Sequence, residues 1–167
     1  MFIDHPGAGT PNDQSGLPLS LNWRLDAFEA LSTHSLYAIL RARVDIFIVE
    51  QTCPYPELDD EDQTALHLQG WSAQGLSAYA RILPPDVEQR VWIGRVLVTN
   101  AARGTGLGSE LMRRAMDATR THFPGNPIWL GAQLRLSGFY QSLGFVPEGL
   151  PYLEDDIPHQ KMVLASA

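Results

Sequence analysis

Hydrophobic positions along the chain change period several times, and each change marks an element. Leu21 to Phe28 alternates, with Trp23 and Leu25 set against Asn22, Arg24 and Asp26, and predicts a first strand. Ser32-Thr33 offers N-cap chemistry, and Leu36, Leu40, Val44 and Phe47 follow at helical spacing, predicting an amphipathic helix over 35–50. Thr52 to Asp62 (TCPYPELDDED) carries two prolines and an acidic run, and reads as an irregular solvated segment. Leu66–Trp71 and Ser77–Leu83 predict a strand pair around the turn at Ala73-Gln74-Gly75. Val91 to Val98 is a dense apolar run and predicts a strand buried on both faces.

A polar turn then leads into Arg103-Gly104-Thr105-Gly106-Leu107-Gly108 and a long helical stripe: Leu107, Leu111, Ala115 and Ala118, widened by Met112 and Met116. Phe123-Pro124-Gly125 stops it. The remainder predicts a short strand at 128–132, a short helix at 134–143 ended by Gly144, and closing strands at 145–148 and 160–164. The order implies an α/β (α+β) domain with a mixed sheet, covering 20–167. Residues 1–19, rich in Pro, Gly, Asn and Asp, form an irregular N-terminal leader on this reading.

Composition narrows the function. A net charge of -7 argues against general nucleic-acid binding and requires any phosphate site to be built locally. No apolar run reaches the ~20 residues of a membrane span. A single cysteine, Cys53, rules out an internal disulfide and fits a reducing compartment, so a cytoplasmic protein is expected. The five histidines lack ligand spacing, so no metal site is expected.

Strand, glycine loop and helix together aim unpaired backbone N–H groups at an anion. No lysine follows the glycines, which excludes the nucleotide-triphosphate loop; Gly104-x-Gly106-x-Gly108 without a later acidic residue fits a dinucleotide turn poorly. Arg-x-x-Gly-x-Gly, satisfied by Arg103, Gly106 and Gly108, remains for a pyrophosphate, and a plain tight turn needing glycine has the same local appearance.

This pattern after an apolar strand resembles the cofactor motif of the GNAT superfamily of N-acetyltransferases. Phe139-Tyr140-Gln141-Ser142-Leu143-Gly144-Phe145 resembles its second signature. Phe47-Ile48-Val49-Glu50-Gln51, Cys53-Pro54-Tyr55 with Glu57 and Asp59, and Glu154-Asp155-Asp156-Ile157-Pro158-His159 resemble its ElaA-like branch. Asp156 stands where the branch usually has glycine; Gln133 and Leu136 stand where Asn and Ala are common. The resemblance implies a GNAT fold, a mixed central sheet with helices on both faces. It implies acetyl-CoA as cosubstrate, held by Arg103, Gly104, Thr105, Gly106, Leu107 and Gly108, with Gln133 near the pantetheine arm. A backbone N–H at Leu97 or Val98 would face the thioester oxygen, and Tyr140 would protonate the departing thiolate.

The implied reaction is direct acetyl transfer to an amine in a ternary complex. The amine must lose a proton, and Glu50, Glu57 and His159 are the candidate bases, with a water relay as the alternative. The acidic run 57–62 either steers a cationic amine or is simply solvated. A non-catalytic acyl-CoA sensor is the alternative function. The sequence leaves the acceptor and a possible homodimer open.

Overall fold

Successive side chains along the central strand of the protein's computed structural model join two different cores, and that alternation sets its layers. The described residues are 20–165; the leader expected at 1–19 lies outside them. The strands are β1 (Asn22–Ala27), β2 (Leu66–Ser72), β3 (Gly75–Ile82), β4 (Val91–Val98), β5 (Ile128–Gln133), β6 (Val146–Glu154) and β7 (Ile157–Leu164). They form one sheet in the order β1-β2-β3-β4-β5-β7-β6, antiparallel except for β4 with β5. On β3, Ala78, Ala80 and Ile82 pack with Leu111, Met112 and Ala115 of helix α2 (Leu107–His122). Tyr79 between them packs with Ile39 of helix α1 (Thr33–Arg43) and with Ile46 and Phe47 beyond it. The two helices therefore cover opposite faces, as period-2 alternation on a doubly covered strand requires.

Ser32 caps α1, its hydroxyl accepting the Ser35 N–H at 3.0 Å. The expected stripe on this helix is displaced. Ser35, Ile39, Arg43, Ile46 and Phe47 are the buried positions, and Val44 is exposed. Two causes combine: Arg43 is drawn inward by carboxylates, and Val44–Glu50 winds as a π-helix, whose wider turn rotates the face. Helix α2 matches its expected stripe, with Thr119 buried in addition and its hydroxyl donating to the Ala115 carbonyl at 2.9 Å. Helix α3 is short (Ser137–Ser142) and follows a single 3-10 turn.

The closing hairpin is longer than its pattern predicts. β6 runs to Glu154 and β7 starts at Ile157, with Tyr152 paired to His159. Asp155 (φ 49°) and Asp156 (φ 62°) both take the left-handed region, making a two-residue turn. Aspartate tolerates this conformation better than most residues, so the turn closes where the branch uses glycine. Among the described residues, no helix is long and apolar enough to cross a membrane.

Candidate active site

β4 and β5 are hydrogen-bonded neighbours at only two residue pairs, Val91 with Ile128 and Trp92 with Trp129. Beyond these the strands part, although β4 continues to Val98 and β5 to Gln133. A bulge on β4 accompanies the split. Arg81 pairs with Gly94 and Tyr79 with Leu97, so β4 spends one residue more than β3 between them. The extra residue reverses the parity of burial: Val91 and Ile93 before it, and Val96 and Val98 after it, join the same core. Thr99 donates its N–H to Ser77 O at 2.9 Å, so by antiparallel alternation Leu97 also turns its polar backbone toward β3. Val98 turns its own toward the opening. The two expected backbone donors thus differ: Leu97 belongs to the ladder and Val98 to the split edge.

The glycine loop follows at the end of the same strand. Gly104 (φ 77°) and Gly106 (φ 78°) are left-handed, and Gly106 is the N-cap of α2, where no side chain caps the helix. The helix start is thus left to its backbone N–H groups, with Leu107 and Gly108 in the first turn. Thr105 Oγ1 donates to Ala102 O at 2.8 Å and fixes the turn. Arg103 does not stand apart with its charge. Nη1 and Nη2 donate to both carboxylate oxygens of Glu50 at 2.7 and 3.1 Å, and Nε donates to Val98 O at 3.2 Å. Two residues expected in separate roles therefore form one fork-to-fork pair. Hydrogen bonds from Arg103 hold the Glu50 carboxyl below its ordinary pKa despite partial burial, which weakens it as a proton acceptor.

The split opens into a cavity of about 720 Å³ that reaches Tyr140, Gln133 and His159. Tyr140 comes from α3 and is buried, with Phe139 and Phe145 packed edge-on at 5.1 and 6.0 Å. Burial pushes its phenol well above the ordinary value, so it keeps its proton. His159 places Nδ1 2.8 Å from Ile157 O. A carbonyl only accepts, so Nδ1 carries a hydrogen, and Nε2 is the nitrogen left to face other partners. The Tyr152 ring lies 5.9 Å from it, and burial followed by the nearby Glu154 pushes Tyr152 up to about 12. Gly131 makes room here: a Cβ would stand 3.0 Å from the Tyr152 hydroxyl. Gln133 is held at both ends, donating to Gln51 Oε1 at 2.9 Å and accepting from Arg135 Nε and Nη2 at 3.0 and 2.8 Å.

Sequence reading missed the arginines. The acidic segment 57–62 is folded inward over three of them. Fully buried Arg43 donates Nε to Glu57 at 2.6 Å and Nη1 to Asp62 at 2.7 Å. Arg81 grips both oxygens of Asp59 at 2.7 and 2.6 Å and also reaches Asp62 at 3.0 Å and Glu61 at 3.1 Å. Arg95 reaches Glu57 at 2.8 Å and Asp59 at 3.0 Å. Glu57, a candidate base, is buried and receives Arg43, Arg95 and the Tyr55 hydroxyl, the last at 2.6 Å. The one signal for this network was an excess of acids in a segment flanked by arginines on buried elements. Cys53 is buried against Asp155 O, and burial raises its thiol, which keeps it protonated.

Comparison with known proteins agrees with this geometry. The family model described as "Acetyltransferase (GNAT) domain" matches residues 48–166. Protein ElaA of Escherichia coli K12 is 44% identical over 142 residues, covering 83% of this chain and 93% of that protein. The crystal structure of an acyl-CoA N-acyltransferase from Pseudomonas aeruginosa superposes with a TM-score of 0.84 at 44% identity, covering 87% of this chain and 100% of that one. The crystal structure of E. coli ElaA gives 0.82 at 42% identity, covering 86% and 99%. The chain belongs to the GNAT acetyltransferase family, on its ElaA-like branch.

Proposed function

We propose that the protein transfers an acetyl group from acetyl-CoA to a small amine, by direct attack within a ternary complex. The observation that carries this reading is the split between β4 and β5. It leaves the end of β4 that leads into the uncapped start of α2 unpaired with β5, and it opens a cavity lined by Val96, Tyr140 and His159.

The cosubstrate's pyrophosphate would rest on the N–H groups from Gly104 to Gly108, whose glycines keep side chains out of the way. The thioester carbonyl would accept a hydrogen bond from the β4 edge, with Val98 the better placed of the two expected residues. The neutral amine attacks the carbonyl carbon, the C–N bond forms, and the C–S electron pair leaves with sulfur. Tyr140 supplies a hydrogen bond or proton to that thiolate. The ammonium's proton leaves beforehand to His159 Nε2, directly or through water. Glu50 is the weaker candidate because Arg103 holds its carboxylate ionised. A cavity of about 720 Å³ lies in the size range of small-molecule sites, which favours a small amine over a protein lysine.

The test is thiol release from acetyl-CoA across a panel of polyamines, amino acids, amino sugars and a lysine peptide. Amine-dependent release is expected, with Tyr140→Phe lowering kcat on the order of 10²-fold and leaving acetyl-CoA affinity unchanged. Tight acetyl-CoA binding without release on any amine would instead identify a sensor.

A further inference from the structure

Arg95 is the residue at which β4 bulges, and it is left-handed, with φ 50°. A side chain with a Cβ resists that conformation, so surrounding contacts must hold it. Those contacts are present and specific. The guanidinium spans two acids of the 52–62 segment, Glu57 through Nε and Asp59 through Nη2. The Tyr55 ring lies under it at 5.8 Å, and the Tyr55 hydroxyl donates to the other oxygen of Glu57. The same two acids are fixed from behind: Glu57 by Arg43, and Asp59 by both forks of Arg81. Arg43 is fully buried and Arg81 nearly so, which makes this a rigid anchor. Charge steering would need these carboxylates free toward the cavity, but Glu57 and Asp59 are spent on arginines.

We propose that Arg95 is a positioning residue. Its ion pairs with Glu57 and Asp59 hold the β4 bulge open, so that the Val98 N–H on the split edge faces the thioester carbonyl. This assignment rests on the acyl-transfer reading above. The acidic segment is then a support for the oxyanion site, joining helix α1 and strands β3 and β4 through one ionic lattice.

The carbonyl itself reports the geometry and needs no acceptor. Acetyl-CoA labelled with ¹³C at the carbonyl is bound to the full chain, and the thioester resonance is compared with that of free acetyl-CoA. Wild-type protein moves the resonance in the direction of a stronger hydrogen bond. Arg95→Ala retains acetyl-CoA affinity within about threefold, because the glycine loop is untouched, but loses most of that displacement; kcat falls on the order of 10²-fold, the usual effect of removing an oxyanion donor. Arg95→Gly, which accepts φ 50° without a Cβ, recovers part of both. A purely structural role predicts changes that follow melting temperature rather than the carbonyl signal. Arg95→Gln, retaining most of the stem, supplies the same readout if alanine does not fold. A folded Arg95→Ala or Arg95→Gln with the wild-type displacement overturns the positioning role and leaves the transfer reading intact. No acetyl-CoA binding to wild-type protein overturns the transfer reading, and the positioning role with it.

Discussion

Two irregular segments serve strand β4, and they are built from opposite materials. The segment at its C-terminal end, 99–108, is made of backbone: Gly104 and Gly106 turn left-handed and the helix start carries no side-chain cap. The segment beside its bulge, 52–62, is made of charged side chains, with Glu57, Asp59 and Asp62 bonded to Arg43, Arg81 and Arg95. The difference follows from what each must hold. An anion is best met by N–H groups with no side chain in front of them. A strand bulge in a left-handed residue must be held from outside, and bidentate arginine pairs supply direction as well as attraction. The glycine loop is therefore sensitive to added atoms, and the ionic segment to removed ones.

The hardest break is on the ionic side. Arg43→Met leaves Glu57 and Asp62 buried without their nearest counter-charge; removing one partner of a buried ion pair costs about 3–5 kcal/mol. The loss is expected as a lower urea midpoint, with Arg81 and Arg95 recovering only part of it. An unfolding free energy within about 0.5 kcal/mol of wild type, the range of a surface substitution, would mean that the segment is not an ionic lattice in solution.

That contrast also explains what could be read in the sequence. The glycine loop was legible because its logic is local: strand, glycines and helix follow one another within 91–122. So were β4, α2 and the Phe139–Phe145 signature that carries Tyr140. The ionic segment was not legible, because its partners come from α1, β3 and β4, up to 38 residues away. Eleven-residue polarity looked like solvent exposure. The displaced face of α1 has the same origin, since apolar periodicity cannot anticipate an arginine buried at position 43. Glu50 and Arg103, 53 residues apart, were assigned separate roles for the same reason. The β6–β7 turn was hidden differently: two adjacent aspartates read as loop, when both adopt the conformation a tight hairpin needs.

The middle-sized break is on the backbone side. Gly106→Ala adds a Cβ that meets nothing within 4 Å, so sterics with neighbours are not the issue. The cost is the left-handed φ of 78°, about 1–2 kcal/mol. For a chain of this size that lowers Tm by about 2–8 °C. Acetyl-CoA affinity should fall with it, while the urea response of the ionic segment is unchanged. An unaltered Tm would show that the loop readily takes another conformation, and the backbone-built half of the comparison would fall.

Acid separates the two segments with the smallest effect. Burial pushes Asp59 up, but bonds from Arg81, its charge, the Glu61 N–H and the charge of Arg95 outweigh this and hold it at about 2. Its unfolded value is about 3.9. Above pH ~4 the carboxylate is ionised in both states, and its stabilisation is complete. As pH falls from ~4 to ~2 the unfolded chain takes up the proton first, so stability declines; below the folded value the contribution is gone. Because Asp59 is partly solvated, screening limits the effect to about 1 kcal/mol. Asp59→Asn should therefore be less stable than wild type at neutral pH and show a flatter stability curve between pH ~4 and ~2. Gly106→Ala, whose strain involves no proton, should run parallel to wild type across that window. Parallel curves for all three proteins would place the acid sensitivity elsewhere, and the ionic segment would no longer be what distinguishes one side of β4 from the other.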